Sequence, residues 1–159
     1  MDASKINPFV QGAQRVFDTV CQETPSLGKV FLKNKPYKSS PVSVSISIFG
    51  AFEGEVVYGM EEPAGCAIVS KMMMGMPVPS LQDEMAKSAV SELANIISGN
   101  VATIFSGKEI VVDIKPPQLR FLASPADFPF ANKVQKIVCV PLHFKNGSVF
   151  EVDVMIPQG

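Results

Sequence analysis

The chain has 159 residues, 47% hydrophobic and 18% charged, with a formal net charge of −1. That composition belongs to a folded globular protein, read as a single domain over 1–159, and not to a disordered one. A near-neutral surface argues against nucleic acid or an anionic membrane as the main partner, since both select basic proteins. Cys21, Cys66 and Cys139 are scattered and form no Cys-x-x-Cys pair. They read as reduced, packed thiols of a cytoplasmic protein. The opening MDASKINPF has no basic segment followed by an apolar one, and no apolar run approaches the ~18 residues of a membrane span. With His143 as the single histidine, no metal site of the chain's own is expected.

Asn7-Pro8 is a helix start, with Asn7 as cap and Pro8 at the first helical position. Phe9, Val10, Ala13, Val16, Phe17 and Val20 follow at helical steps, and the helix should stop before Pro25. Residues 29–35 read as a short strand and Ser39-Ser40-Pro41 as a turn. VSVSISIF, 42–49, alternates: Val42, Val44, Ile46 and Ile48 on one face, Ser43, Ser45 and Ser47 on the other. That serine face would lie under a helix or against a second subunit. A turn over 50–54 leads to a strand over 55–60. Glu62-Pro63 opens a second helix, to Met74. KMMMGM, 71–76, reads as core filling, because Met is adaptable packing material.

Ser80 and Asp83 form a capping-box-like pair opening the longest helix, which should run to Ser106 and stop at Gly107. Ala86, Val90, Leu93, Ile97, Val101 and Ile104 make its buried stripe, and Asn100, at the stripe's edge, reads as an amide bonded to backbone. The last third reads as strands over 108–115, 118–123, 136–144 and 148–156, with a packed loop over 124–132. Asn146-Gly147 marks a hairpin between the final two strands. His143 falls on the face opposite Val138, Val140, Leu142 and Phe144 and reads as an exposed sheet histidine. Helices and strands come in blocks, which predicts an α+β layered fold, a largely antiparallel sheet packed against long helices. A helix followed by strands occurs twice, hinting at duplicated half-units.

On the long helix, Ser88, Glu92, Asn95 and Gly99 fall in one sector opposite the apolar stripe. Ser91 and Ser98 flank it and Ala102 continues it. The face is polar but low, so another protein could lie close against it. A lone carboxylate and carboxamide make no nucleophile. A carboxamide can, however, hold a water, as glutamine does in GTP hydrolysis, and a carboxylate can pair with a partner's cation. On spacing alone an ordinary solvated helix face is the better reading, because Glu and Asn three apart are common.

The run SAVSELAN, Ser88 to Asn95, resembles the active-site signature of the CheC/CheX chemotaxis phosphatase family: Asp or Ser, three residues, Glu, two residues, Asn. The following IISGN and the opening INPF are similar to CheX-type chains too, and Pro116-Pro117 lies in the region where the family pattern continues to a proline. CheC proteins usually carry two such helices. The helix over 62–74 has neither Glu nor Asn at matching places, which favours the CheX-like branch. The resemblance implies a phosphatase acting on a phosphorylated CheY-like response regulator, with Asn95 positioning the attacking water and Glu92 pairing with the regulator's lysine. Ser88 matches the first motif position, and Ser91 and Gly99 border it as partner-binding residues. The aspartyl phosphate, its Mg²⁺ and the lysine would all belong to the regulator, so no cofactor of the chain's own is implied. Family members are homodimers that join sheets across subunits, which the resemblance implies here too. The alternative is a module of the same fold that binds a regulator or a flagellar-switch-like partner without hydrolysis.

Overall fold

The structure, a computed structural model, describes residues 3–157. Its elements are α1 (Ala3–Cys21), β1 (Ser26–Leu27), β2 (Phe31–Lys33), β3 (Val42–Gly50), β4 (Gly54–Met60), α2 (Glu62–Met72), α3 (Glu84–Ser106), β5 (Val112–Ile114), β6 (Gln118–Phe121), β7 (Ile137–His143) and β8 (Val149–Met155). The strands form one eight-stranded antiparallel sheet in the order β1-β7-β8-β4-β3-β5, with β2 also on β7 and β6 also on β3. This is the expected α+β layered architecture.

The topology is two-fold in pattern. Hairpins β3-β4 and β7-β8 meet through β4 and β8. The short pair β1 and β2 lies on β7, and the short pair β5 and β6 lies on β3. Each half therefore lends its short strands to the other half's hairpin. The helices preceding the two sets are α1 and α3, which pack on each other. Gly12 allows this approach, since a Cβ there would stand 2.7 Å from Val101 Cγ2.

Alternation along the strands sorts the sheet into two faces. Val42, Val44, Ile46, Ile48, Val56, Tyr58, Val138, Val140, Phe150, Val152 and Val154 face the helices and are buried. Phe17 inserts between the rings of Phe144 and Phe150, at 4.9 Å from each and edge-on. Burying each such side chain stabilises the fold by roughly 1.5–3 kcal/mol before entropy is counted. The opposite face carries a second, smaller apolar cluster. Tyr37, Phe128, Ala131 and Val134 cover Val57, Ile137 and Met155 there.

Several local expectations shift. The chain is helical from Ala3, the first described residue, so Asn7 is not the helix cap and Pro8 lies inside, buried, in the second turn and not at the first helical position. Of the expected 29–35 strand only Phe31–Lys33 (β2) joins the sheet, and Ser26–Leu27 forms a separate strand, β1, before it; between them the Gly28 N–H donates to Pro141 O at 2.8 Å. The serine face lies away from the helices, beneath the covering cluster, and Ser45 Oγ accepts from Arg120 Nη1 at 2.9 Å. Met72 and Met73 pack on the core, but Met74 is 97% and Met76 56% exposed, because the chain leaves α2 at a left-handed Met74 (φ 58°). β5 is shorter than 108–115, with left-handed Glu109 (φ 63°) in the turn before it. Residues 124–132 do pack, through two short 3-10 turns, Pro125–Asp127 and Pro129–Lys133. Asn146 Oδ1 accepts from the Ser148 N–H at 2.9 Å, and Gly147 is left-handed, as the hairpin requires.

Glu23 ties three elements at one end of the molecule. Its carboxylate takes the Lys71 ammonium at 2.5 Å and the Lys145 backbone N–H at 2.7 Å, joining the end of α1 to α2 and to the β7-β8 turn. The Lys71 hydrogen bond, then the Lys145 N–H, hold its pKa below the usual carboxylate value. A lowered pKa means this stabilisation is complete above the unfolded value near pH 4 and disappears as pH falls through the folded one. Glu23→Gln should therefore lower Tm by about 2–4 °C at neutral pH, with the difference from the parent protein closing in acid. Melts between pH 3 and 7 measure this; a constant difference at all pH values would contradict it.

Candidate functional site

α3 begins at Glu84 with Asp83 as N-cap and no side-chain cap bond. The expected Ser80–Asp83 capping box is thus absent. Ser80 Oγ instead accepts from the Gln82 N–H at 3.0 Å and bonds Glu62 Oε1 at 3.2 Å, so it closes a turn before the helix. The helix ends at Ser106 as expected. Ala86, Val90, Leu93, Ile97 and Val101 are buried, joined by Ala94, Ser98 and Phe105, whereas Ile104 is only half-buried. Asn100 Nδ2 donates to Ile96 O at 3.1 Å, the backbone bond expected of it.

Two neighbours define how α3 is rolled about its axis. On one flank Ile96 and Asn100 face α1 across an open groove of about 410 Å³ bordered by Arg15, Asp18 and Thr19. On the other flank Ser98, Ala102 and Phe105 face β5, beside Val112 and Ile114. The sector between these flanks points outward. Ser88 and Glu92 are exposed; Ser91, Asn95 and Gly99 are half-buried. A Cβ built at Gly99 meets nothing within 4 Å, so the space above the crest is open. Five of the sequence-assigned site residues therefore share one accessible ridge. Ser98, expected beside them, does not: it is buried, and its hydroxyl bonds the Tyr58 hydroxyl at 2.8 Å.

Among the described residues, neither the Glu92 carboxylate nor the Asn95 carboxamide takes part in a hydrogen bond or ion pair with its own chain. Both are available to a visitor. One turn apart, they present an acceptor-only carboxylate beside a group that can donate and accept at once. The thiols are poor nucleophiles by contrast: burial pushes Cys21 up to about 11 and raises Cys66 and Cys139 as well.

Among the described residues, one group of metal-ligand type, Cys139, Glu151 and Asp153, lies on the sheet face away from α3, its ligand atoms within 4.8 Å of one another. A cation of the chain's own is already there. Lys33 Nζ stands 2.9 Å from Asp153 Oδ2 and 3.4 Å from Glu151 Oε1. His143 is exposed, on the face expected of it.

The topology also corrects how the halves correspond. The counterpart of α3 is α1, not the 62–74 helix. α1 contains no glutamate, so it carries no second Glu-x-x-Asn motif in any register. Sequence reasoning missed Tyr58 as the anchor of α3, although the alternation Val56, Tyr58, Met60 in β4 placed it on the helix-facing side.

The fold and ridge define a class: an antiparallel sheet backed by two long helices, one of which carries an exposed carboxylate and a half-buried carboxamide on its outward ridge. The family model described as chemotaxis phosphatase CheX matches residues 42–139, from β3 into β7 and across all of α3. The CheY-P phosphatase CheX of Thermotoga maritima is 31% identical over 117 residues, 74% of this chain and 75% of that one. A CheC-like superfamily protein from Shewanella sp. PV-4 superposes with a TM-score of 0.82 at 23% identity, covering 99% of this chain and 100% of that one. CheX from Borrelia burgdorferi, solved as a complex with CheY, BeF3 and Mg²⁺, superposes with a TM-score of 0.76 at 27% identity, covering 96% and 97%. The chain belongs to the CheX family.

The Tyr58–Ser98 bond predicts a stability signature. Tyr58→Phe strands a buried hydroxyl and should cost about 1–2 kcal/mol, lowering Tm by roughly 2–8 °C. Adding Ser98→Ala removes the stranded group and should recover part of that loss. Thermal melts of the single and double variants decide it; strictly additive losses would mean the two hydroxyls are not coupled.

Proposed function

We propose that this protein hydrolyses the aspartyl phosphate of a CheY-like response regulator, with Asn95 and Glu92 as the working residues. The observation that carries the reading is the uncommitted Glu92–Asn95 pair on an open ridge of α3, in a chain of the CheX family. Two relatives support the substrate class. The Thermotoga protein is named for action on CheY-P, and the Borrelia relative was captured on CheY with BeF3, a stand-in for the phosphoryl group.

In this reading α3 docks over the regulator's phosphorylated aspartate. The Asn95 side-chain carbonyl accepts a hydrogen bond from a water and holds it in line with phosphorus. The water oxygen bonds to phosphorus as the bond to the aspartate oxygen breaks, releasing inorganic phosphate and restoring the carboxylate. Phosphoryl transfer depends mainly on positioning and charge stabilisation. The regulator supplies Mg²⁺ and a lysine for the charge, and the Glu92 carboxylate pairs with that lysine to fix the register. Ser88, Ser91 and Gly99 keep the surface low enough for close approach.

Asn95→Ala should slow regulator dephosphorylation on the order of a hundredfold while leaving docking nearly intact. Phosphate-release kinetics and binding to a BeF3-loaded regulator test this together. Normal turnover in the variant would remove Asn95 from the mechanism.

The proposal includes a homodimer, formed in the cytoplasm through the β1/β2 edge of the sheet. Leu27, Val30, Phe31 and Leu32 are 51%, 43%, 43% and 54% exposed on this edge, an apolar strip that a second copy would cover. Leu32→Lys should shift the protein toward monomer in light scattering; an unchanged dimer would move the interface elsewhere.

A further inference from the structure

The sheet face away from the helices carries charge that its own lysine balances only in part. Cys139 on β7 and Asp153 on β8 stand directly opposite each other, and Glu151 lies two residues earlier on the same face of β8. Lys33 and the Tyr37 hydroxyl both donate to Asp153 Oδ2, and Lys33 and Ser40 donate to Glu151 Oε1. One lysine therefore serves two carboxylates, through one oxygen of each.

The two remaining oxygens lie outside its reach. Glu151 Oε2 accepts from Cys139 Sγ at 3.2 Å. Asp153 Oδ1 is buried and has no hydrogen-bond partner among the described residues. Asp153 is 1% exposed, and a carboxylate oxygen so far from water calls for a donor or an ion. One ligand atom from each of the three residues lies within 4.8 Å of the others. Small side-chain rotations would close that to the roughly 3.5 Å between neighbouring ligands of one tetrahedral ion.

We infer that Cys139 Sγ, Glu151 Oε2 and Asp153 Oδ1 form a site for one zinc ion, with Lys33 and Tyr37 retained on the oxygens they already hold. The charges then balance: a thiolate and two carboxylates face a divalent cation and an ammonium. Binding forms a zinc–sulfur bond and releases the thiol proton to solvent. The sulfur ligand selects zinc over magnesium or calcium, which take all-oxygen sites. The fourth position is left to water, which reaches it past the partly exposed Glu151 side chain. No sequence motif announces the site, because only the pairing of β7 with β8 brings its ligands together. It is remote from α3 and independent of the phosphatase reading.

The test is titration of the reduced, metal-free full chain with Zn²⁺ against a chromophoric chelator, and with Co²⁺ as a spectroscopic substitute. One ion should bind per chain, and Co²⁺ should give the near-ultraviolet absorption of a thiolate–cobalt bond. Zn²⁺ at a hundred times its Kd should raise Tm by about 5–10 °C. Cys139→Ser should abolish the cobalt band and weaken zinc binding about a hundredfold. Glu151→Gln, at a partly exposed position, should weaken it about tenfold and keeps the test decisive should Cys139→Ser not fold. Absence of the cobalt band in the parent protein, or zinc affinity unchanged in Glu151→Gln, would overturn the site. A band that persists in Cys139→Ser would overturn it as well, assigning the metal to Cys21 or Cys66.

Discussion

The function proposed depends on how one helix is rolled about its axis. A rotation of α3 by a single residue would turn Asn95 through about 100°, from the ridge toward β5 or toward α1. The buried Tyr58–Ser98 bond fixes that angle from below. Tyr58 is entirely enclosed and stacked on Phe150 at 5.7 Å, so its hydroxyl has one direction in which to find a partner. The contact of Gly12 against Val101 fixes the helix from the side. A larger residue at position 12 would lever α3 away from α1 and tilt the ridge with it. Ser98 is thus a polar residue retained inside an apolar stripe because its hydroxyl specifies orientation, which hydrophobic burial alone does weakly.

The other face of the sheet obeys a different constraint. Asp153 is 1% exposed, and a carboxylate taken so far from water is costly unless it is paired and hydrogen-bonded. Lys33 and the Tyr37 hydroxyl both donate to it, and Ser40 Oγ and Cys139 Sγ bond the neighbouring Glu151. Burial opposes the charge on Lys33, but Asp153, and then Glu151, more than offset it and hold the lysine's pKa up. These groups come from β2, β7, β8 and the 34–41 segment. The network therefore fastens the edge strand and its connection to the sheet. The charged side chains of this face stay away from the helix layer, which is packed with apolar groups apart from the Tyr58–Ser98 hydroxyl pair.

The legible parts of the sequence were those with a clear period. β3, β4, β7, β8 and α3 follow from alternation or helical spacing, and the Glu92–Asn95 ridge follows from the same wheel. The misplaced parts were governed by long-range contacts. The expected 29–35 strand shortens to 31–33, and 26–27 pairs unforeseen, because β7 takes β1 and β2 at two separate sites, with Gly28 between those strands close to Pro141 and His143. The burial of Ser43 and Ser45 depends on the 124–134 segment folding back over them, some eighty residues later in the chain. Ser98 looked like a member of the polar ridge because nothing local announces Tyr58. The exposed methionines at 74 and 76 were misassigned for a related reason: composition says what Met can fill, and only topology says whether there is a core to fill.

The two faces together explain how a small protein without a nucleophile of its own can be arranged for phosphoryl chemistry. A phosphatase that borrows metal and lysine from its substrate has no need of a deep pocket, and a pocket would keep the regulator's phosphorylated site at a distance. It needs a rigid convex element that reaches into someone else's site. A long helix, clamped by a second helix and by a buried hydroxyl pair, meets that need. In the proposed reading, the small residues around Asn95 leave its carboxamide open to a partner. The rigidity comes from the sheet beneath, whose charged face is sealed by its own lysine and tyrosine, so the outward face of α3 can remain sparsely polar.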